Sequence, residues 1–249
     1  MIDLHAHIIP GVDDGAKDIE ESLSMLKKGR DSGISTVCAT PHILNKVDNK
    51  FEQKILSGFD LLKKKVLEKN LEVKILLGSE IHISLDFENL KNFQFFTIDD
   101  NKKYLLLEFP LNQIPNYVEK MIFNLCLDGY IPVIAHPERS MVAEFDLKRL
   151  EKMANLGAFF QLNAGSLLGH FGKKVKKFSL KLLKNELIYF VASDAHNEDK
   201  RSIEALSEVF PIIRELVGER KAFELFYQNP KNLIKGENVQ SFCLDFTKY

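Results

Sequence analysis

Seven short apolar runs punctuate the chain, and the stretches between them carry helical periodicity. The runs are Met1–His7, Ser35–His42, Val73–Ile83, Tyr104–Phe109, Ile131–His136, Ala158–Asn163 and Leu187–Ser193. Each is rich in Ile, Val, Leu or Phe and short enough to be a strand. Between them, Phe51, Ile55, Phe59, Leu62 and Val66 recur at steps of three or four and make one apolar helix face. Ile19, Leu23 and Leu26 do the same. Their helix is predicted to open at Asp18, with Glu21 three residues on as in a capping box, and to stop at Gly33. Gly129 and Gly157 close the helical stretches around Val118–Leu127 and Leu147–Ala154, and the sequence from Ser202 onward reads as helix broken at Pro211 and Gly218.

Parallel strands need crossover connections, so strands alternating with helices predict an α/β fold with a mainly parallel sheet. No Gly-x-Gly-x-x-Gly follows the first run, which removes support for a dinucleotide fold. The expected architecture is a distorted seven-stranded (β/α) barrel, with residues 1–249 as a single domain. Apolar residues at 45% allow a large core, and a formal net charge of -1 argues against a nucleic-acid-coating protein. No apolar run approaches the roughly 18 residues of a membrane span, and Met1–His5 lacks the pattern of a signal peptide. Three widely spaced cysteines (Cys38, Cys126, Cys243) fit reduced thiols, so a cytoplasmic protein is expected.

In a barrel of this kind, function collects at the C-terminal ends of the strands. Nearly every run here ends in a metal-capable residue: His5-Ala6-His7, Thr40-Pro41-His42, Gly78-Ser79-Glu80, Leu107-Glu108-Phe109, Ala135-His136-Pro137-Glu138-Arg139 and Ser193-Asp194-Ala195-His196. His5 and His7 stand two apart on a strand and share a face, so both imidazoles can reach one ion. A single His-x-His is more often an ordinary pair; that reading weakens when five other run ends bring imidazoles or carboxylates to the same rim. The donors are nitrogen and oxygen only, which suits Mn, Zn or Fe over a thiolate zinc site. Acids crowded in a dry pocket would repel one another, and divalent cations are the natural compensation.

These motifs, with the Gly11-Val12-Asp13-Asp14-Gly15 loop and Gly165-Ser166-Leu167-Leu168-Gly169, resemble the polymerase-and-histidinol-phosphatase (PHP) superfamily. Within it the chain is similar to the bacterial capsule-type, manganese-dependent protein-tyrosine phosphatases. The resemblance runs from Met1 to about Arg201. It implies a PHP-type barrel and three divalent metal ions, manganese foremost, with zinc or iron as alternatives. His5, His7, Glu80 and Asp194 would hold the first ion; Glu80 would bridge to a second, shared with Glu108 and His136; Asp14, His42 and His196 would hold the third. Many superfamily members carry histidine at the positions of Asp14 and Glu108, and the acids here match the capsule-type enzymes. Arg139 and Arg201 match arginines expected to grip the substrate phosphate. The implied reaction is hydrolysis of phosphotyrosine by metal-bound hydroxide, without a covalent phosphoenzyme. The implied partner is a bacterial tyrosine kinase that controls capsular or extracellular polysaccharide synthesis.

The chemistry is consistent on its own terms. Cations neutralise a phosphate dianion and activate water, and Arg adds a planar fork for the remaining oxygens. Only six arginines stand against 28 lysines, and Arg139 and Arg201 closely follow ligand motifs. Arg201 also reads as a solvated charge at a helix start. A cysteine-based tyrosine phosphatase needs Cys-x5-Arg, but Leu44, Pro132 and Tyr249 stand six residues after the three cysteines. No Asp-x-Asp pair and no Gly-x4-Gly-Lys-[Ser/Thr] loop occurs. His82 reads as facing solvent or supporting the ligands. His170 reads as a loop residue or a contact for a phosphopeptide. Asp13 reads as a turn residue, Cys38 as core, and Lys173-Lys174-Val175-Lys176-Lys177 as an exposed helix face or a patch attracting an acidic tail. The rival functions are another PHP-type phosphoesterase (a histidinol-phosphatase or a nuclease) and a non-enzymatic kinase-docking protein.

Overall fold

The computed structural model describes residues 1–44, 47–83, 90–110, 112–140 and 147–239. Strands form in all seven apolar runs, but as nine segments: β1 (Ile2–Ala6), β2 (Thr36–Ala39), β3 (His42–Ile43), β4 (Lys74–Leu77), β5 (Glu80–His82), β6 (Tyr104–Glu108), β7 (Ile131–Ala135), β8 (Phe159–Asn163) and β9 (Ile188–Ala192). Two runs are interrupted. Pro41, which lacks an N–H for the ladder, separates β2 from β3. Gly78-Ser79 separates β4 from β5, where a Cβ on Gly78 would stand 2.7 Å from Ile98 Cδ1. The chain therefore steps out of one sheet and into another at both places.

The two sheets have strand orders β1-β2-β4 and β3-β5-β6-β7-β8-β9, and every pair is parallel. The chain leaving β9 returns to β1: Asp194 N donates to His5 O at 2.9 Å and His7 N to Ala195 O at 2.8 Å. Asp3 reinforces this seam by accepting from Ser193 N at 3.0 Å and Ser193 Oγ at 2.5 Å. Burial pushes the Asp3 carboxyl up to about 6. Seven uninterrupted strands and a closed barrel are not found among the described residues.

Helices fill the connections. Helix α1 (Ile19–Asp31) is capped as its sequence predicts, with Asp18 Oδ1 accepting from Glu21 N at 2.9 Å. In α2 (Asn49–Glu68), Ile55, Leu62 and Val66 are buried. Next come α3 (Val118–Leu127), α4 (Leu147–Asn155), α5 (Ala164–Leu168) and α6 (Lys173–Lys184). The last are α7 (Ala205–Val217), α8 (Glu219–Phe223), a π-helical turn (Glu224–Gln228) and α9 (Asn229–Ile234). The break expected at Pro211 does not occur, because α7 passes through it. Pro211 sits on the exposed face, where water can take the Ser207 carbonyl that loses its partner. Gly218, at φ 84°, does end α7. Cys243 lies outside the described residues.

The period-two alternation of strand side chains sorts the apolar residues into two layers. Leu4, Cys38, Leu76, Leu106, Val133, Phe159 and Phe190 form one cluster, drawing on β1, β2, β4, β6, β7, β8 and β9. Their neighbours Val37, Ile75, Leu105, Ile134, Phe160 and Val191 join the helices in the other. Two residues further along, the first layer turns polar in two strands: Leu106 leads to Glu108, and Phe159 to Gln161 and then Asn163. The site is thus the upper continuation of a hydrophobic plug. Leu106 is buried in that plug, so Leu106→Ala should lower unfolding stability by about 2–5 kcal/mol, read as a lower denaturant midpoint.

Candidate metal centre

The polar tips of these strands converge. His5, Glu80, His136 and Asp194 form one group whose donor atoms lie within 4.8 Å of one another; His7, Asp14, His42 and His196 form a second; His42, Glu80 and Glu108 form a third. All nine residues expected from the sequence are brought together. Their grouping differs from the expected one in three respects: His136 sits with His5, His7 with Asp14, His42 and His196, and His42 also with Glu80 and Glu108. His7 nevertheless reaches both sets. Its Nε2 lies 3.1 Å from His5 Nε2, 3.4 Å from Glu80 Oε2 and 3.5 Å from Asp194 Oδ1. His5 Nε2 lies 3.2 Å from Glu80 Oε2 and 3.4 Å from Asp194 Oδ1. Donors bound at about 2.0–2.2 Å to one ion stand about 3.0–3.5 Å apart along tetrahedral or octahedral edges. The four side chains therefore have the spacing of a coordination polyhedron.

The tautomers are arranged for the same purpose. His5 Nδ1 is held by Gln161 Oε1 at 2.9 Å, His7 Nδ1 by Asp13 Oδ2 at 2.7 Å, and His196 Nδ1 by the Asp194 carbonyl at 3.0 Å. With each Nδ1–H donated to an oxygen, each Nε2 lone pair points into the cup. His42 Nδ1 lies 2.9 Å from Glu80 Oε2, while buried Asp194 Oδ1 and His196 Nε2 have no hydrogen-bond partner. Buried polar atoms are rarely left this way, and a cation is the partner this donor set fits.

Two backbone positions turn side chains into the cup. His136 and Asp194 both have positive φ, 30° and 53°, a region that costs a non-glycine residue of order 1–3 kcal/mol. Gly15 lets the Asp13-Asp14 loop lie against His7, since a Cβ there would stand 2.2 Å from His7 O. Asp13 also accepts from Gly15 N and His42 N, both at 3.0 Å. It is a turn residue, as expected, and it also orients His7, which the sequence reading did not assign.

Electrostatics follow from the crowding. Burial opposes charge on Glu80 and Asp194, but facing imidazoles outweigh it and hold both carboxyls well below the usual range. Burial and the Glu80 charge push Glu108 up to about 7. Burial disfavours a charged His7, yet Asp13, Asp194 and Glu80 raise its pKa well above normal. Burial and the neighbouring His7 lower His196 to about 2, so it stays neutral.

Both expected arginines reach the cup. Arg139 Nη1 and Arg201 Nη2 donate to Asp194 Oδ2 at 2.7 Å and 2.6 Å, and Asn163 Nδ2 donates to the same atom at 2.7 Å. Asn163 is held in turn by Glu138, whose Oε1 accepts from its backbone N at 2.9 Å. Gln161 and Asn163 went unassigned from sequence, although two polar residues two apart in an otherwise apolar run were a usable signal. Arg139 and Arg201 line a cleft of about 650 Å³ with Asp14, His42 and Glu108, and with an apolar wall that includes Val12, Leu44, Phe51 and Phe109. His82 borders this cleft but belongs to none of the three donor groups. His170 is exposed and Cys38 is buried in the plug.

A family model described as "Capsular polysaccharide synthesis, CpsB/CapC" matches residues 1–235. The chain belongs to the CpsB/CapC family. A tyrosine-protein phosphatase, YwqE from Bacillus subtilis, is 39% identical over 240 residues, covering 96% of this chain and 93% of YwqE. A solved structure from work on YwqE and on CpsB from Streptococcus pneumoniae, described there as unique metal-dependent tyrosine phosphatases, matches with a TM-score of 0.89. Its identity is 36%, over 96% of each chain. A histidinol phosphate phosphatase from Lactococcus lactis matches with a TM-score of 0.55 at 14% identity, over 88% of this chain and 95% of its own, and so shares the fold alone.

The CpsB/CapC cup puts protons and cations in competition for the same lone pairs. Asp13, Asp194 and Glu80 strengthen proton binding at His7, and Glu108 is pushed up to about 7, so cations compete with protons at both. Metal loading should therefore release protons near pH 7, and affinity should rise with pH. Calorimetry in buffers of different ionisation enthalpy checks both.

Proposed function

We propose that this chain is a metal-dependent protein-tyrosine phosphatase. One observation carries the reading: a nitrogen-and-oxygen cup with two arginines forms the floor of a cleft whose wall is apolar and partly aromatic. The two parts suit the two ends of a phosphotyrosine side chain. The family membership supports the same reading, as do the relatives described as tyrosine phosphatases.

The donors would hold three divalent ions, manganese foremost: His5, His7, Glu80 and Asp194 for the first, Glu80, Glu108 and His136 for the second, Asp14, His42 and His196 for the third. Such cations would neutralise the phosphoryl charge and acidify the attacking water. Arg139 and Arg201 would take the outer phosphoryl oxygens. Each spends one of its five N–H groups on Asp194 Oδ2, which leaves donors for substrate. Val12, Leu44, Phe51 and Phe109 would flank the tyrosyl ring and exclude water beside the scissile bond. A phenol has a pKa near 10, so its phenolate leaves more readily than a serine alkoxide and a dedicated acid matters less.

The finer reading of the fold is a single domain, residues 1–249, whose two sheets are arcs of one distorted seven-stranded barrel. The plug fed by β1, β2, β4 and β6 to β9 supports it, as does the seam from β9 to β1. Among the described residues no helix is long and apolar enough to cross a membrane; we place the enzyme in the cytoplasm, acting on a tyrosine kinase of capsular or extracellular polysaccharide synthesis.

Chelation should abolish hydrolysis of a phosphotyrosine peptide, and manganese should restore it best among Mn, Zn and Fe. Phosphoserine peptide, histidinol phosphate and a DNA primer end should be poor substrates. A metal-replete sample that binds the kinase but cleaves no monoester would overturn the reading in favour of a docking protein. Arg139→Ala should lose about 10²-fold in turnover while its metal content, measured by mass spectrometry, stays unchanged.

A further inference from the structure

The site region carries a charge arrangement that neither folding nor the cation cup explains. Helix α6 holds Lys173, Lys174, Lys176, Lys177, Lys181 and Lys184 and no acidic residue. Lys173, Lys177, Lys181 and Lys184 recur at steps of three or four and form an exposed stripe along one side. The placement opposes helix stability twice. Lysines in the first turn face the positive end of the helix dipole, and Lys173 with Lys177 and Lys177 with Lys181 are like charges at i,i+4. No side chain caps the helix at Gly172. The two long helices α1 and α2 place acids there: α1 has Asp18 as its cap and Glu20 and Glu21 in its first turn, and α2 has Asp48 as its cap and Glu52 in its first turn. The chain as a whole is near neutral at -1, so the stripe is a local excess.

Its position is equally specific. Phe171, two residues before Lys173, stacks under the Arg139 guanidinium at 4.6 Å. The α6 helix packs on the 3-10 turn Pro137–Arg139 that carries this arginine. The loop between α5 and α6 bends at Gly169 and Gly172, with φ 99° and 92°, and carries the chain from Phe171 beside Arg139 into the lysine-bearing first turn of α6.

We propose that the α6 lysine stripe is a docking surface for an acidic peptide segment that flanks the phosphotyrosine of the substrate protein. The proposal rests on the phosphatase reading for its substrate, and deepens it by naming a flanking chemistry. Aspartate and glutamate side chains next to the phosphotyrosine would meet Lys173 and Lys177 as the phosphate enters between Arg139 and Arg201. The stripe then raises the encounter rate and holds the segment in register, and its effect falls as salt rises.

The test separates docking from catalysis. Full-length wild type, the double variant Lys173→Glu/Lys177→Glu and the charge-keeping Lys173→Arg/Lys177→Arg are compared. Fluorescence anisotropy reads binding of an acidic-flanked phosphotyrosine peptide and of a neutral-flanked one, in chelator so that nothing is turned over. Hydrolysis of p-nitrophenyl phosphate is then measured in manganese. The wild type and the Arg variant are expected to bind the acidic peptide at least 5-fold more tightly than the neutral one, and to lose that preference at high salt. The Glu variant is expected to lose the preference while its p-nitrophenyl phosphate turnover is unchanged. Equal binding of the two peptides by the wild type would overturn the proposal. So would a Glu variant that keeps the preference, or one that loses binding to vesicles of anionic lipid while its peptide binding stands. Because binding is read without turnover, a wild type that prefers the acidic peptide yet hydrolyses no monoester would sink the phosphatase reading and leave the docking surface standing.

Discussion

Three carboxylates cannot share a dry pocket without compensation, and the upper half of this molecule is organised around that constraint. Glu80, Glu108 and Asp194 are buried within reach of His5, His7, His42, His136 and His196. Glu80 and Asp194 stay ionised only because imidazoles and arginines surround them, and Glu108, with less help, is pushed up to about 7. Proton and cation are alternative answers to the same charge imbalance. A fold that keeps these residues together is therefore preorganised for cations, and the left-handed backbones of His136 and Asp194 are a cost accepted to keep them there.

Much of this was legible in the residues. The chemistry-bearing side chains lie at the ends of apolar runs, and a strand's period of two carries an interior position directly to the rim. Glu108 above Leu106 follows from counting by twos, whereas Asp194 depends on the left-handed backbone just past β9. The Asp18 cap and the glycine stops at Gly33, Gly129 and Gly157 were equally plain, because each rests on chemistry within a few residues. What stayed hidden depends on distant partners. The break between β4 and β5 turns on how closely Gly78 passes Ile98, and nothing near Gly78 announces Ile98. Pro211 reads as a break because its local effect is disruptive, whereas the exposed face of α7 absorbs the loss. Asp13 was legible as a turn former but not as the residue that fixes His7, since that role needs the loop folded against β1.

The partition of donors into groups was hidden for the same reason. Sequence order says which residues meet, but the distances at His7 Nε2 say how they are shared. That atom is within 3.5 Å of His5, Glu80 and Asp194 and also belongs with Asp14, His42 and His196. His7 thus ties the two halves of the cup together, and Asp13 behind it makes that tie directional.

The shared grip on Asp194 has a bearing on what happens after the reaction. Arg139 and Arg201 both rest on one carboxylate oxygen, so neither is a bare cation waiting in solvent. If both arginines hold the phosphoryl group through their remaining N–H groups, as proposed, they would share it with a carboxylate that stays in place when inorganic phosphate departs. Asp194 would then temper the arginines' hold on the spent product and keep it from lodging where the next substrate has to land.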